Sequence, residues 1–327
     1  MKDVAVVGLP SSGKSTVFTA VTRHAAHPGS HQATMAVLSV PDPRVERLRD
    51  LYGSAEAAHA RLRLVDVPGF DAHALGEARV AHALAVVLRC FGPDPGPARD
   101  LASFRAELAV ADLQTVERVR ERAGKRAKAG ERAAQAELDV CDRAEAVLSQ
   151  DRWLSEESWP PDDRHVIDLW TPLTTKPVLH VLNADEAGAD PGGLPEPVVV
   201  VRGLLEAETA ELEPDEAAAL LHEYGLDEPA AGRFVRAAYD AMGLVTFFTA
   251  NEHEAHAWAV VAGTRAPQAA GAVHTDFEKG FIRAERVAFD ELDEAGSADA
   301  AKHKGLVRLE GKEYVVREGD VLFIRHS

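Results

Sequence analysis

Cysteine is scarce. Cys90 and Cys141 are the only two in 327 residues, so neither a disulfide framework nor a four-ligand zinc site can be built from them, and both are expected to be reduced thiols. Long apolar runs are missing too. The start, Met1 to Val7, is too short for the apolar core of a signal peptide, and no stretch approaches the ~20 residues of a membrane-spanning helix. Positive charge is in deficit: 36 Lys and Arg against 53 Asp and Glu give a formal net charge of -17. That excludes a general affinity for nucleic acid and confines any phosphate contact to local basic patches. What remains is the composition of a globular chain long enough for two or three compact units. The expectation is a cytoplasmic protein, monomeric, with no membrane or DNA partner.

Four apolar runs read as buried strands of a parallel sheet: Val4 to Val7, Leu62 to Val65, Leu84 to Leu88 and Val178 to Leu182, with Val198 to Val201 as a fifth. Nearly continuous Val and Leu marks strands covered by helices on both faces, the pattern of an α/β layer architecture. Between the third and fourth runs the period changes. Leu101, Phe104, Leu108 and Ala111, then Ala133, Ala136, Val140, Ala144 and Val147, step by three and four, which predicts two antiparallel arms of a coiled coil. Ala127-Lys128-Ala129-Gly130 supplies the helix stop between them. Arms of roughly 25 residues would project on the order of 35 Å. Trp153 to Asp163, with Pro160-Pro161, reads as an irregular return to the sheet. From Thr246 onward, β-branched and aromatic residues with turn glycines predict a small mixed sheet.

Gly8-Leu9-Pro10-Ser11-Ser12-Gly13-Lys14-Ser15-Thr16 matches G-x-x-x-x-G-K-[ST], preceded by a strand and followed by a helix-compatible segment, the context the motif requires. Its glycines let backbone N–H groups converge on phosphate oxygens at a helix N-terminus. Lys14 is expected to reach the β- and γ-phosphates and Ser15 to hold Mg²⁺. Asp66-Val67-Pro68-Gly69 closes the second strand and fits the D-x-x-G element of GTPase-like proteins. Asp66 is the second expected Mg²⁺-side residue and Gly69 the backbone sensor of the γ-phosphate. After the fourth strand, Asn183-Ala184-Asp185-Glu186 stands where a GTPase carries N-K-x-D. The aspartate that accepts two guanine N–H groups is replaced by Glu186, and hydrogen bonds to charged groups are worth ~1.5–3 kcal/mol each. Displacing that carboxylate by a methylene therefore predicts ATP over GTP. The competing reading makes Asn183 or Asp185 the N-cap of a following helix.

Together these residues resemble the YchF/Obg-like ATPase family, the Obg-related branch of TRAFAC P-loop NTPases, along nearly the whole chain. The most specific matches are Val40-Pro41-Asp42-Pro43-Arg44, Arg89-Cys90-Phe91, Glu107 to Leu113, Ala266 to Gly271, His274 to Ala284, Glu310 to Val316 and Glu318-Gly319-Asp320-Val321. The resemblance implies a P-loop G domain (1–98 and 165–243), a helical coiled-coil insertion (99–164) and a C-terminal TGS domain of β-grasp fold (244–327). It also implies ATP binding through Asn183 and Glu186, ATP hydrolysis, and a ribosomal partner. A GTPase and a catalytically degenerate nucleotide-dependent ribosome- or RNA-binding module are the alternatives.

Two departures from the family pattern bear on catalysis. The segment from Gly69 to Arg89 is shorter than the family's switch region, and the family's catalytic histidine after R-C-F has no counterpart, since no histidine occurs from Ala83 to Arg164. Phe70 occupies the position where Ras-like enzymes carry the water-orienting glutamine. His73 and His82 are the nearest substitutes, and the short stretch Gly29 to Val37 leaves Ser30 or Thr34 as further Mg²⁺-side candidates. No catalytic residue is assigned, and turnover is expected to be slow unless a partner completes the site.

Two basic clusters stand against the acidic background. Arg118, Arg120, Arg122, Lys125, Arg126, Lys128 and Arg132 gather near the predicted hairpin tip, and Lys279, Arg283, Arg286, Lys302 and Lys304 near the C-terminus. The first is either an RNA-phosphate contact or a solvated face laced with charge pairs. His274 and Asp276 lack a third ligand at metal-binding spacing and read as structural.

Overall fold

A computed structural model of the chain describes residues 1–23, 34–67, 69, 72–190 and 192–327. Its strands are β1 (Lys2–Val7), β2 (Thr34–Ser39), β3 (Glu56–Ala58), β4 (Arg61–Asp66), β5 (Ala83–Cys90), β6 (Val178–Ala184), β7 (Val198–Val201), β8 (Leu244–Ala250), β9 (Glu254–Val261), β10 (Phe281–Ala288), β11 (Arg308–Glu310) and β12 (Asp320–His326). They form two six-stranded sheets, ordered β2-β4-β1-β5-β6-β7 and β11-β10-β12-β8-β9-β3. The chain divides into two compact units: Asp3–Ala36 with Leu64–Ala238, and Met1–Lys2 with Val37–Arg63 and Tyr239–Ser327.

In the first unit β1, β5, β6 and β7 run parallel in successive pairs. Val4, Ala5, Val6, Leu84, Ala85 and Val86 are completely buried, as strands covered on both faces must be. All five expected strands are present. The sixth, β2, overlaps the end of the stretch Gly29 to Val37. It alternates buried Ala36 and Leu38 with exposed Met35 and Val37, the period of two of an edge strand.

The insertion is a helical hairpin with unequal arms, Pro97–Lys128 of 32 residues and Arg132–Leu148 of 17, about 48 and 26 Å long. Gly130, at φ 91°, makes the turn. The seam of the long arm differs from the expected one. Leu101, Phe104, Leu108 and Ala111 pack into the core of the parallel sheet, together with Leu84, Val86, Leu88, Trp153 and Leu173. Only from Ala109 and Val116 onward does the long helix meet its partner, against Val140, Cys141, Ala144 and Val147. Near the tip Ala134 is buried while Ala133 and Ala136 are exposed, so the register there is carried by a different alanine. A three-and-four step marks a buried stripe without saying what buries it. Cys90 and Cys141 are both free.

One carboxylate fixes the hairpin's root. Asp112 is fully buried and accepts from the backbone N–H groups of Leu173 (3.1 Å) and Thr174 (2.8 Å) and from the Thr174 hydroxyl (2.8 Å). Arg79, on the helix Ala72–Val80, pairs with it at 2.8 Å and donates to the carbonyls of Thr171 and Ala111.

The second unit has β-grasp connectivity. The β8–β9 hairpin leads through the helix Ala266–Val273 to β10, and β12 enters the centre, parallel to β8 and antiparallel to β10. Residues 37–63, placed by the sequence with the P-loop domain, belong to this unit instead. The helix Pro43–Tyr52 buries Val45 and Leu48 against Phe248, Ala255 and Ala257, and β3 adds a parallel strand beside β9. Asp42 caps that helix, accepting from Arg44 N at 3.0 Å, while Arg44 also pairs with Glu318 at 2.6 Å and lies 4.9 Å over the Phe248 ring. The V-P-D-P-R and E-G-D segments thus meet in one polar joint of this unit. Arg286, counted among the free C-terminal cations, is instead committed to buried Asp320 at 2.6 Å. His274 caps the helix Thr275–Lys279 through Nδ1.

Asp112→Ala should cost about 2–4 kcal/mol, because it strips the partly buried Arg79 guanidinium of its counter-charge and orphans two backbone donors. Chemical denaturation reads this directly, and a loss under 1 kcal/mol would remove Asp112 as the hairpin's fixing point.

Candidate nucleotide site

β1 ends at Val7, and the helix Lys14–Thr22 begins seven residues later. The loop between them is held in an unusual backbone path. Gly8 (φ 153°), Ser11 (φ 63°) and Gly13 (φ 84°) all have positive φ, and a Cβ on Gly8 would lie 2.6 Å from the Val87 carbonyl oxygen of β5. Only glycine tolerates both demands. The loop therefore wraps closely over the sheet's carboxyl end, the usual place for a ligand in open α/β sheets.

Lys14 folds back over this loop, donating to the carbonyls of Gly8 (3.1 Å) and Leu9 (3.3 Å). Burial pushes its ammonium below the usual lysine range, opposed by the nearby Asp66 carboxylate. Ser15 Oγ donates to Asp66 Oδ2 at 3.0 Å. Burial raises the Asp66 carboxyl above the ordinary range, with the Ser15 hydrogen bond and Lys14 pulling it back. Three side chains from the loop and the end of β4 thus share one half-buried, charged crevice. Pro10 and Ser11 are exposed, Leu9 packs on the sheet core, and Gly69 takes φ 81° in an exposed turn.

The base-side cleft lies next to it. A cavity of about 640 Å³ is lined by Gly13 and Thr16 of the loop, by Asn183 through Ala187, and by Phe91, Leu204 and Glu208, among others. Glu186 is exposed on its wall. Asn183, the expected base acceptor, also has a structural role. It is buried, its Nδ2 donates to the Ser12 carbonyl at 2.9 Å, and its amide sits where a Cβ on Gly13 or Gly203 would come within 2.1 or 2.3 Å of it. It braces the phosphate loop against β6. No helix follows Asp185, whose carboxylate instead takes the Ala187 N–H in a turn (3.1 Å), so the N-cap reading falls away. Phe91, Gly203, Leu204 and Glu208 escaped the sequence reading as site residues. Phe91 stood in the R-C-F match, but the other three carry no local motif.

The histidines fare differently. His82 Nδ1 accepts from Asp3 N at 3.1 Å. Because β1 and β5 are parallel in register from Val4 and Ala83, His82 lies at the opposite end of the strands from Gly8, roughly 20 Å away. It cannot stand in for a water-activating group. Phe70 and Ser30, and the side chain of His73, lie outside the described residues; Thr34 opens β2.

The comparisons agree with this architecture. A family described as "50S ribosome-binding GTPase" matches residues 3–184, and the YchF-GTPase C-terminal family, described as a protein of unknown function, matches 244–327. The ribosome-binding ATPase YchF of Haemophilus ducreyi is 35% identical, with 98% of each chain covered. The chain belongs to the YchF family. Its relative of the same name in Bacillus subtilis is 33% identical over 98% of each chain. The solved YchF GTPase of Schizosaccharomyces pombe superposes with a TM-score of 0.81 at 25% identity, covering 99% of this chain and 97% of its own. A P-loop nucleotide-binding domain and the YchF layout follow from membership.

Gly203→Ala should lower stability by about 1–3 kcal/mol through the clash with Asn183, and a second change, Asn183→Ala, should recover part of that loss. Strict additivity of the two in denaturation would contradict the brace.

Proposed function

We propose that the chain is an ATP-binding, ribosome-associated P-loop NTPase with low intrinsic turnover. The carrying observation is the crevice in which Lys14 rests on the Gly8 and Leu9 carbonyls while Ser15 bonds Asp66. A polyphosphate tail offers Lys14 charged acceptors in place of neutral carbonyls, and ionised hydrogen bonds are roughly twice as strong as neutral ones. The Ser15 hydroxyl and Asp66 carboxylate, 3.0 Å apart, are hard oxygen donors of the kind Mg²⁺ takes alongside phosphates and water. When bound, Mg²⁺ would neutralise phosphate charge. Leu9 to Thr16 and Gly69 supply the surrounding backbone.

Glu186, Asp185 and Glu208 give the base cleft a rim of acceptors. Glu186 is one methylene longer than the aspartate that accepts the two guanine N–H groups in GTPases, so its carboxylate is displaced from those donors, which supports ATP over GTP. The Schizosaccharomyces relative is titled a GTPase, so GTP remains the second reading. The partner is drawn from relatives named ribosome-binding ATPases, and a ribosome partner implies the cytoplasm. In this reading the P-loop unit binds nucleotide, while the insertion (99–164) and the C-terminal module (244–327) face the ribosome. With Phe70 at the glutamine position and His82 at the far end of the sheet, the water-activating group is expected from a partner in trans, as arginine fingers act elsewhere.

Calorimetry with Mg²⁺ should show ATP binding at least tenfold tighter than GTP, Lys14→Ala weakening both, and Glu186→Asp narrowing the preference by about tenfold, or ~1.4 kcal/mol. Single-turnover hydrolysis should be slow alone and faster with ribosomes. GTP binding more tightly than ATP, or fast unstimulated turnover, would overturn the corresponding half of the reading. Undiminished ribosome binding by Lys14→Ala would favour a nucleotide-independent binding module.

A further inference from the structure

The first basic cluster does not survive as one patch at the hairpin tip. Arg120 is tied to Asp142 (2.9 Å) and Glu145, and Arg126 to Glu131 (3.4 Å) and Glu137. These are interhelix and tip charge pairs, the bland alternative for this sequence. Arg118 and Arg122 are different. Arg118 reaches only Gln114 O (3.1 Å) and the Thr115 hydroxyl (3.0 Å); among the described residues Arg122 pairs with no carboxylate, and both are exposed.

Both line a groove of about 580 Å³ on the flank of the long helix, running from Arg79 and Trp170 at its root to Arg126 and Glu137 towards the tip. Arg79 and Arg126 add cationic walls, and Trp170 lines it at the end of the helix Pro161–Leu169. Trp170 is 91% buried, being 9% exposed, and its indole N–H has no hydrogen-bond partner among the described residues. The one carboxylate lining the groove, Glu137, is already paired with Arg126.

Arg118, Arg122 and Arg126 follow one another at one-turn spacing, about 6 Å apart along the helix. Such a line of guanidiniums fits a linear polyanion better than a compact one, and each fork can take a phosphate two oxygens at a time. In a chain of net charge -17, Arg118 and Arg122, which no carboxylate neutralises among the described residues, oppose the overall field. We propose that this flank groove, and not the hairpin tip, docks the phosphodiester backbone of ribosomal RNA, with Arg118 and Arg122 as the phosphate forks. The proposal rests on the ribosome-association reading and names the surface that carries it.

The test uses the full ATP-loaded chain, ribosome cosedimentation, and a labelled single-stranded RNA titrated across a salt series. Arg118→Glu with Arg122→Glu should weaken both bindings more than tenfold and flatten the log–log salt slope on RNA, each lost phosphate contact removing roughly 0.7. ATP affinity and thermal midpoint should not change. The tip variant Lys125→Glu with Lys128→Glu should stay within twofold of the parent. Parent-like ribosome binding by the groove variant, or an equal loss in the tip variant, would overturn the groove while leaving ribosome association intact. Polyglutamate displacing RNA at equal charge concentration would assign the groove to an acidic protein partner instead. A parent chain that ignores ribosomes altogether would sink both readings.

Discussion

The hydrogen bond from Asn183 to the Ser12 carbonyl is the contact on which the site's geometry depends. It joins the loop after β1 to the end of β6, two segments 171 residues apart in sequence, in the buried space between two glycines that have no side chain to put there. Through it the phosphate crevice and the base cleft become walls of one site. The constraint is steric as much as polar. Gly13 must be in the left-handed region to start the helix and must also lack a Cβ so that the amide can approach, while Gly203 closes the other side. Neither position has room for alanine without displacing the brace.

This explains which parts of the site were legible in the sequence. The phosphate loop could be read because its residues are contiguous and every one is dictated by local geometry: positive φ, close approach to β5, and a helix start. The base cleft could be read only in part. Asn183 and Glu186 stand in a recognisable tetrapeptide, but Gly203, Leu204 and Glu208 enter from a helix after β7 that carries no motif of its own. That Asn183 also reaches back to the Ser12 carbonyl could not be read, because a side chain's target across the fold is not encoded in its spacing. The elements themselves were far more visible. All five buried strands announced themselves by nearly continuous apolar content, whereas β2 and β3, short edge strands with mixed content, did not.

The same limit governs the helical insertion. The three-and-four step of Leu101, Phe104, Leu108 and Ala111 correctly marked a buried stripe, yet that stripe packs on the sheet and not on the second arm. Burial by a sheet and burial by a helix impose the same period on a helix, and only the third dimension separates them. Residues 37–63 show the point at the level of whole segments. Their proximity in sequence to the phosphate loop suggested membership of its domain, but Val45 and Leu48 find their apolar partners on the C-terminal sheet. The motif Val40 to Arg44 is specific because it serves that joint, with Asp42 capping a helix and Arg44 bridging to Glu318.

The insertion's attachment also bears on how the nucleotide end of the fold could be felt elsewhere. Arg79 sits on the helix that follows Asp66 and Gly69, and its guanidinium is held by the buried Asp112 of the long helix and by the carbonyls of Ala111 and Thr171. An ion pair with one fully buried partner is weak as a source of stability, but breaking it leaves the Asp112 carboxylate buried without a counter-charge. The helix after the D-x-x-G segment therefore cannot shift independently of the hairpin's root. It must either hold still or carry Asp112, and with it the Leu173–Thr174 turn, along. Arg79 also lines the arginine groove together with Trp170, next in sequence to Thr171, so a displacement of that helix would change the groove's width in the same movement. Rigid coupling through one satisfied buried carboxylate, rather than a flexible chain of surface contacts, is the arrangement by which a change near Asp66 would reach a surface on the flank of the hairpin.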